Sequence, residues 1–109
     1  MERLTTEFWV GAYLRRLQNE GVPAFVNAKG DRTAGAVMVK LSTLDGRAQV
    51  FQRTVSGDGG RMWSVFFEGD DAAADASLSR QRQIDPDLWI IEIEDKKARH
   101  LLDTPGLDR

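Results

Sequence analysis

The sequence predicts an α+β fold with a mostly antiparallel sheet of about five strands and two helices, in the order α-β-β-β-β-α-β. Two observations support this prediction. Apolar residues recur at helical spacing near the start and again after residue 70, and the segments between are short apolar runs separated by turn residues. Hairpin strands flanked by helices are typical of α+β domains. We therefore expect a single domain over residues 1–109, with a flexible polar tail from about residue 103.

The first helix is expected in the segment TTEFWVGAYLRRLQNEG. Thr5 or Thr6 can cap its start, and Gly21 suits the left-handed conformation that often follows a helix end. Its apolar residues recur at helical spacing: Val10, Tyr13, Leu14 and Leu17. A short strand, VPAFVNA, is predicted next, and its Pro23 is typical of an edge strand or a strand start.

Three strands are then predicted to form a continuous antiparallel meander over residues 36–42, 47–55 and 61–68. Asp45-Gly46 is typical of a two-residue turn, and it lies between the first two of these strands. The glycine-rich segment SGDGG, residues 56–60, is expected to form a looser second turn.

This meander has two apolar faces whose composition depends on the turns. With a two-residue first turn, Met38 lies opposite Arg53 and Lys40 lies opposite Phe51, and the second turn places Arg53 opposite Trp63. One face then carries Val37, Val39, Leu41, Val50, Met62 and Phe66. The other face carries Met38, Lys40, Phe51, Arg53, Trp63, Val65 and Phe67.

The second helix is expected to begin at Asp70 or Asp71 and to end at Ile84, because Pro86 stops it. Its apolar stripe is thin and consists chiefly of Ala74, Leu78 and Ile84. The segment DPDLWIIEIED is predicted to be the last strand, and KKARHLLD a short helix or a returning strand.

Four segments carry a resemblance to a known family: EFWVGAYLRRL, AGAVMVKLSTLDGRAQVFQR, DPDLWIIEIED and HLLD. In this order, and over nearly the whole chain, they resemble the domain of unknown function 1491 family of short alphaproteobacterial proteins. The resemblance implies a bacterial cytoplasmic protein, and it assigns no catalytic or binding residue.

Composition argues against several classes of function. The formal net charge of −2 provides no positive field for nucleic acid or an anionic membrane, so neither is expected as a partner. The chain has no cysteine, which excludes disulfides, thiolate metal sites and cysteine nucleophiles. It also has no long apolar segment, so we expect a cytoplasmic protein. His100 is the only histidine and has no evident catalytic partner, and we expect no catalytic residue and no cofactor.

Glu92 and Glu94 are the candidate metal ligands. Strand alternation places them on one face with Ile90, about 7 Å from each other, where they could bracket a hard cation such as magnesium. The other face of this strand carries Trp89, Ile91 and Ile93. Because such a cation requires more oxygen ligands than two glutamates provide, we expect both side chains to be largely exposed to solvent and to bind no metal.

A metal-dependent nuclease is one alternative, since restriction-endonuclease-like enzymes share this order of elements. They hold a metal between an acid on one strand and an acid-x-lysine on the next. Glu7 and Lys40 are suitably placed for the helical glutamate and the lysine. However, Met38 occupies the position of the required acid, and Asp31 is the only acid nearby. The central acid of the metal site is missing, so this hypothesis rests on similarity of fold alone.

A protein-binding or assembly module is the function that we predict. The face that the second helix covers incompletely carries six candidate binding residues: Met38, Lys40, Phe51, Arg53, Trp63 and Phe67. With Arg53 expected over the Trp63 ring, this face is predicted to bind a protein partner or a second copy of the chain. The alternatives are a two-sided core that binds nothing, and an RNA-binding sheet in which Phe51 and Trp63 stack on bases while Lys40 and Arg53 contact phosphates.

Overall fold

The computed structural model describes residues 4–55 and 61–103. The predicted order of elements is confirmed: α1 Thr6–Asn19, β1 Ala24–Ala28, β2 Val37–Ser42, β3 Arg47–Val55, β4 Arg61–Asp70, α2 Asp71–Ile84 and β5 Trp89–Glu94. The turn predicted at 56–60 and nearly all of the predicted polar tail lie outside the described residues.

The five strands form a single sheet in the order β1-β5-β2-β3-β4. The sheet is mixed rather than purely antiparallel, because β2 and β5 are parallel while the other three pairings are antiparallel. The connection through α2 explains the parallel pair: the helix returns the chain to the starting end of the sheet, so β5 runs in the direction of β4 and therefore of β2. The apolar run of residues 88–91 is buried throughout, as is typical of a central strand.

The predicted two-residue turn between β2 and β3 is wrong, because the loop is one residue longer. Thr43 N–H donates to the Arg47 carbonyl at 3.2 Å, and the chain between them turns with left-handed φ angles of 63° at Leu44 and 86° at Gly46. Leucine rarely adopts this conformation, so the sequence does not signal it. Lys40 consequently lies opposite Val50 instead of Phe51.

The longer loop divides the predicted binding face between the two sides of the sheet. Met38 lies opposite Gln52, not opposite Arg53. A shift of one residue moves a strand's side chains to the other face. The six candidates therefore separate into two groups: Phe51, Arg53 and Trp63 lie under α1, while Met38, Lys40 and Phe67 lie on the α2 side. The loop separates the β2 residues from those of β3, and the β-bulge in β4 separates Phe67 from Trp63. The continuous meander β2-β3-β4 and the pairing of Arg53 with Trp63 are confirmed.

Each helix covers one face of the sheet. Thr5 caps α1 by accepting a hydrogen bond from Phe8 N–H, and Gly21 follows the helix with φ 73°, as predicted. The core under α1 contains Trp9, Val10, Tyr13, Leu17, Val39, Leu41, Phe51, Ile91, Ile93 and Leu102. The core under α2 is smaller and contains Met38, Ala48, Val50, Ala74, Leu78, Leu88 and Ile90.

The segment after β5 is neither the short helix nor the returning strand that the sequence predicts. Ala98 and Leu101 adopt left-handed φ angles of 57° and 58°, which prevents a regular element. The segment is held by the Tyr13 hydroxyl, which donates to the His100 carbonyl at 2.7 Å, and by Leu102, which is buried under α1. Within the described residues, neither helix is long and apolar enough to cross a membrane.

Candidate functional site

On the α1 side, the Arg53 guanidinium lies against two tryptophan rings. Its central carbon is 4.9 Å from the centre of the Trp9 ring and 5.1 Å from that of Trp63. The two rings are 5.6 Å apart, and Trp9 also stacks on Tyr13 at 4.9 Å. The predicted position of Arg53 over Trp63 is therefore confirmed, with a second aromatic partner on α1. Cation–π contacts of this kind stabilise by about 0.5–1 kcal/mol at partly exposed sites.

Phe51 is buried rather than available for stacking on a base. Its ring lies 4.7 Å from the His100 ring, at the base of the α1-side core. His100 has a structural role here, since its Nδ1 accepts a hydrogen bond from Leu102 N–H at 3.0 Å. Burial lowers the pKa of His100 below its ordinary value, which favours the neutral ring.

On the α2 side, Lys40 is the centre of a buried ionic cluster. Its side chain is 2% exposed, and its Nζ lies 2.7 Å from Asp75 Oδ1, 3.0 Å from Asp71 Oδ1 and 3.6 Å from Glu92 Oε2. Asp71 and Asp75 are one helical turn apart at the start of α2, so both carboxylates reach the middle of β2. Burial acts to lower the pKa of Lys40, but the hydrogen bonds to the two aspartates outweigh it, and the pKa lies above its ordinary value.

This cluster corrects the prediction for Glu92. The expected exposure is wrong, because the Glu92 side chain is only 15% exposed and accepts a hydrogen bond from Asn27 Nδ2 at 2.8 Å. Burial raises the pKa of Glu92, against the opposing effect of Lys40. Glu94 is also partly buried. The described residues contain no group of three or more acidic or histidine side chains placed to hold a metal ion.

The residues weighed for a nuclease site are not brought together. Glu7 forms an ion pair with Arg32 at 3.6 Å, and the Asp31 carboxylate accepts a hydrogen bond from Ala34 N–H at 2.8 Å in the turn before β2. Lys40 is enclosed under α2, whereas Glu7 belongs to α1 on the opposite face.

The edge strand β4 carries apolar side chains that neither helix covers. Among the described strands it has one neighbour, β3. Val65 and Met62 are 50% and 52% exposed, although Phe67 packs in the core under α2. A β-bulge opposite Val50 and Phe51 divides the strand. Sequence reasoning missed this edge because exposure depends on sheet order, and a hairpin pattern does not show which strand has no further neighbour.

The comparison with protein families agrees with this structure. The model described as "Protein of unknown function (DUF1491)" matches residues 4–103. The chain belongs to the DUF1491 family. No curated protein matches it.

Three solved structures share the DUF1491 fold described above. The crystal structure of a family member from Caulobacter crescentus CB15 is 41% identical with a TM-score of 0.87, over 94% of this chain and 98% of that one. An NMR structure of a family member from the same organism is 40% identical with a TM-score of 0.82, over 96% and 97% of the chains. The solution structure of protein Atu0922 from A. tumefaciens is 31% identical with a TM-score of 0.72, over 85% and 86%.

Proposed function

We propose that this DUF1491 protein is a cytoplasmic assembly module that pairs with a second copy of itself along β4. The observation that carries the proposal is the uncovered edge of that strand. Two of its apolar side chains, Met62 and Val65, are about half exposed, and no other described strand lies beside it. An uncovered edge of this kind is a template for a further strand.

The exposed backbone groups and apolar side chains of β4 indicate what can bind at this edge. The outward backbone groups of an edge strand form hydrogen bonds with another extended segment, and alternate side chains on that segment pack on either face. β4 itself meets both requirements, because it is an exposed extended strand with apolar side chains. The bulge restricts regular pairing to the part of β4 before Phe66, which contains Met62 and Val65.

Charge favours an antiparallel arrangement of the two copies. Glu68 and Asp70 are exposed at the carboxyl end of β4. Parallel pairing would place the acidic ends side by side, and like charges directly opposite each other destabilise a strand pair. Antiparallel pairing about a two-fold axis separates them, and it continues the sheet across both copies.

The role of Trp63 differs from the one that the sequence predicts. Its ring is partly buried against Arg53 and Trp9, so its contacts lie under α1 rather than under α2. Its indole nitrogen is buried and has no hydrogen-bond partner among the described residues. In the proposed dimer, Trp63 holds β4 in place through its contacts under α1, while Val65 and Met62 contact the second copy.

The burial of Lys40 and Phe51 disfavours the other two hypotheses. An RNA-binding sheet needs both side chains at the surface, and a nuclease needs Lys40 beside a metal-bound water. Lys40 is 1% exposed with three carboxylate partners, and Phe51 is buried against His100.

The test is the solution mass by sedimentation equilibrium, from micromolar concentrations to about 1 mM. We expect a dimer that Val65→Lys dissociates, because a lysine at the centre of the contact carries an unpaired charge. The matched control is Val26→Lys, since Val26 is 37% exposed on β1 at the opposite edge of the sheet. A monomer throughout the range, or dissociation by Val26→Lys alone, would contradict the proposal.

A further inference from the structure

A cleft opens on the α2 side, between the second half of the helix and the sheet. Its volume is about 410 Å³, within the range that small-molecule sites occupy. The residues that shape it come from the loop before β2, from β2, from β3 and from α2 and its end: Ala36, Met38, Gln52, Gln81, Asp85 and Leu88. The described residues that line it include none from β4, so the inference does not rest on the proposed dimer.

The sequence of α2 explains why the cleft exists. Ala74 and Leu78 are buried against the sheet, and the next position on the same helix face is Gln81. Ile84, which a continued apolar stripe would place near the sheet, is instead 77% exposed. The second half of the helix therefore presents a carboxamide where its first half presents apolar groups, and Ala36 adds little bulk from the facing loop.

Two glutamine side chains share this space. Gln52 lies directly opposite Met38 in the sheet, which places both side chains on the α2 face, and Gln81 projects from the helix above. Neither carboxamide has a hydrogen-bond partner among the described residues. Each offers a donor and an acceptor, while Met38 and Leu88 provide an apolar surface. A small apolar ligand with an amide-like group would satisfy these features.

The charge at the cleft selects against anions. Asp85 lines it at the carboxyl end of α2, where the helix dipole is negative, and its carboxylate accepts a hydrogen bond from Asp87 N–H at 3.1 Å. Arg53 lines the cleft, but its guanidinium is on the opposite face of the sheet, against Trp9 and Trp63. The Arg82 guanidinium donates to backbone carbonyl groups of the neighbouring loops.

We infer that this cleft binds a small organic molecule with an apolar body and an amide or amidine group, neutral or cationic. The carboxamides of Gln52 and Gln81 pair with the polar group, and Met38 and Leu88 contact the body. Asp85 favours a positive charge on the ligand and disfavours a carboxylate.

Three probes of one shape test this inference: benzamide is neutral, benzamidine is cationic and benzoate is anionic. Titration of the isotope-labelled protein is followed by NMR, at the side-chain amides of Gln52 and Gln81 and the methyl group of Met38. We expect saturable shifts with benzamide and benzamidine, with dissociation constants of about 1 mM for ligands of this size. Benzoate is expected to bind at least about tenfold more weakly.

Two variants and a control separate the site from general binding. Gln81→Leu removes a carboxamide at nearly constant side-chain volume, so it should weaken both probes about tenfold. Asp85→Asn should weaken benzamidine more than benzamide. Gln83→Leu is the control, because it makes the same substitution at an exposed position of the same helix. Absence of saturable shifts, equal effects of Gln83→Leu and Gln81→Leu, or benzoate binding as tight as benzamidine binding would each overturn the inference.

Discussion

The two faces of the sheet are covered by helices of equal length, 14 residues each, but the side chains that the two helices bury differ in size. The helix α1 contributes large side chains to its core, among them Trp9, Tyr13 and Leu17. The helix α2 contributes the smaller side chains of Ala74, Ser77 and Leu78. The first interface is closed by apolar and aromatic packing, whereas the second combines a small core with the ionic cluster around Lys40 and leaves a cleft.

This difference separates two properties of the fold, stability on one face of the sheet and open space on the other. A face closed by large apolar residues gains stability from area removed from water, at roughly 25 cal/mol per Å². A face covered by small residues gains less, but it leaves room for polar groups and for a ligand. The α1 side therefore provides most of the stability, and the α2 side retains the open space. Three predictions test this division.

The largest expected effect separates the two cores. Leu17 is fully buried under α1, and Leu17→Ala should lower the free energy of unfolding by about 3–5 kcal/mol, since the closed surroundings leave a cavity. Leu78→Ala under α2 should cost about 2–3 kcal/mol, because the vacated space lies one turn from the cleft and water can enter it. Urea unfolding measures both values. Equal losses, or a larger loss for Leu78→Ala, would show that the α2 core is as tightly packed as the other.

The ionic cluster should have an intermediate effect. Lys40→Met keeps most of the length of the side chain but leaves Asp71, Asp75 and Glu92 without their shared cation. Because the two aspartates are partly exposed, the expected loss is about 1–3 kcal/mol rather than the larger cost of a fully enclosed charge. The control is Lys97→Met, at an exposed position where little change is expected.

Partial recovery in the double variant Lys40→Met with Glu92→Gln would sharpen this result, since it removes the acid that is least exposed. An unchanged free energy of unfolding in Lys40→Met would contradict the idea that ion pairs hold α2 on the sheet.

Alkaline pH should produce the smallest effect, and it acts on both faces. Burial raises the pKa of Tyr13 under α1, and the aspartates keep the pKa of Lys40 under α2 above its ordinary value. In both cases the folded state holds its proton more tightly than the unfolded state. The stabilisation is therefore present below pH 10 and declines above it, by up to about 1.4 kcal/mol per pH unit for each group.

Tyr13→Phe and Lys40→Met should each reduce the slope of stability against pH between about pH 10 and 11.5. Urea unfolding at several pH values measures these slopes. Tyr13 is the only tyrosine, so the ultraviolet absorbance of its phenolate reports its ionisation directly and should appear only as the protein unfolds. Phenolate absorbance in the folded protein, or parallel stability curves for wild type and both variants, would show that these groups do not cause the alkaline loss.

Local structure was largely predictable, because its signals lie within a few residues of each other. The cap at Thr5, the end of α2 before Pro86 and the bounds of β3 follow from the sequence. The first hairpin loop did not follow, since Leu44 adopts a left-handed conformation that leucine seldom has.

The candidate site was predictable only where it depends on adjacent strands. Arg53 and Trp63 lie opposite each other across one hairpin, so this pairing could be predicted. The partners of Lys40 come from α2 and β5, more than 30 residues later in the chain. No local pattern connects Lys40 with Asp71 or Glu92, and its surroundings were missed.

The sequence by itself determined the seven elements, their order and the apolar stripe of α1, because these follow from spacing and turn residues. Only the tertiary structure decided that β5 lies between β1 and β2, that Phe51 is under α1, and that a cleft remains beside Gln81. The physical reason is the two-residue period of a strand. One additional residue in a loop moves the side chains of the next strand to the opposite face, as at Phe51, and a bulge reverses the alternation again, as before Phe67.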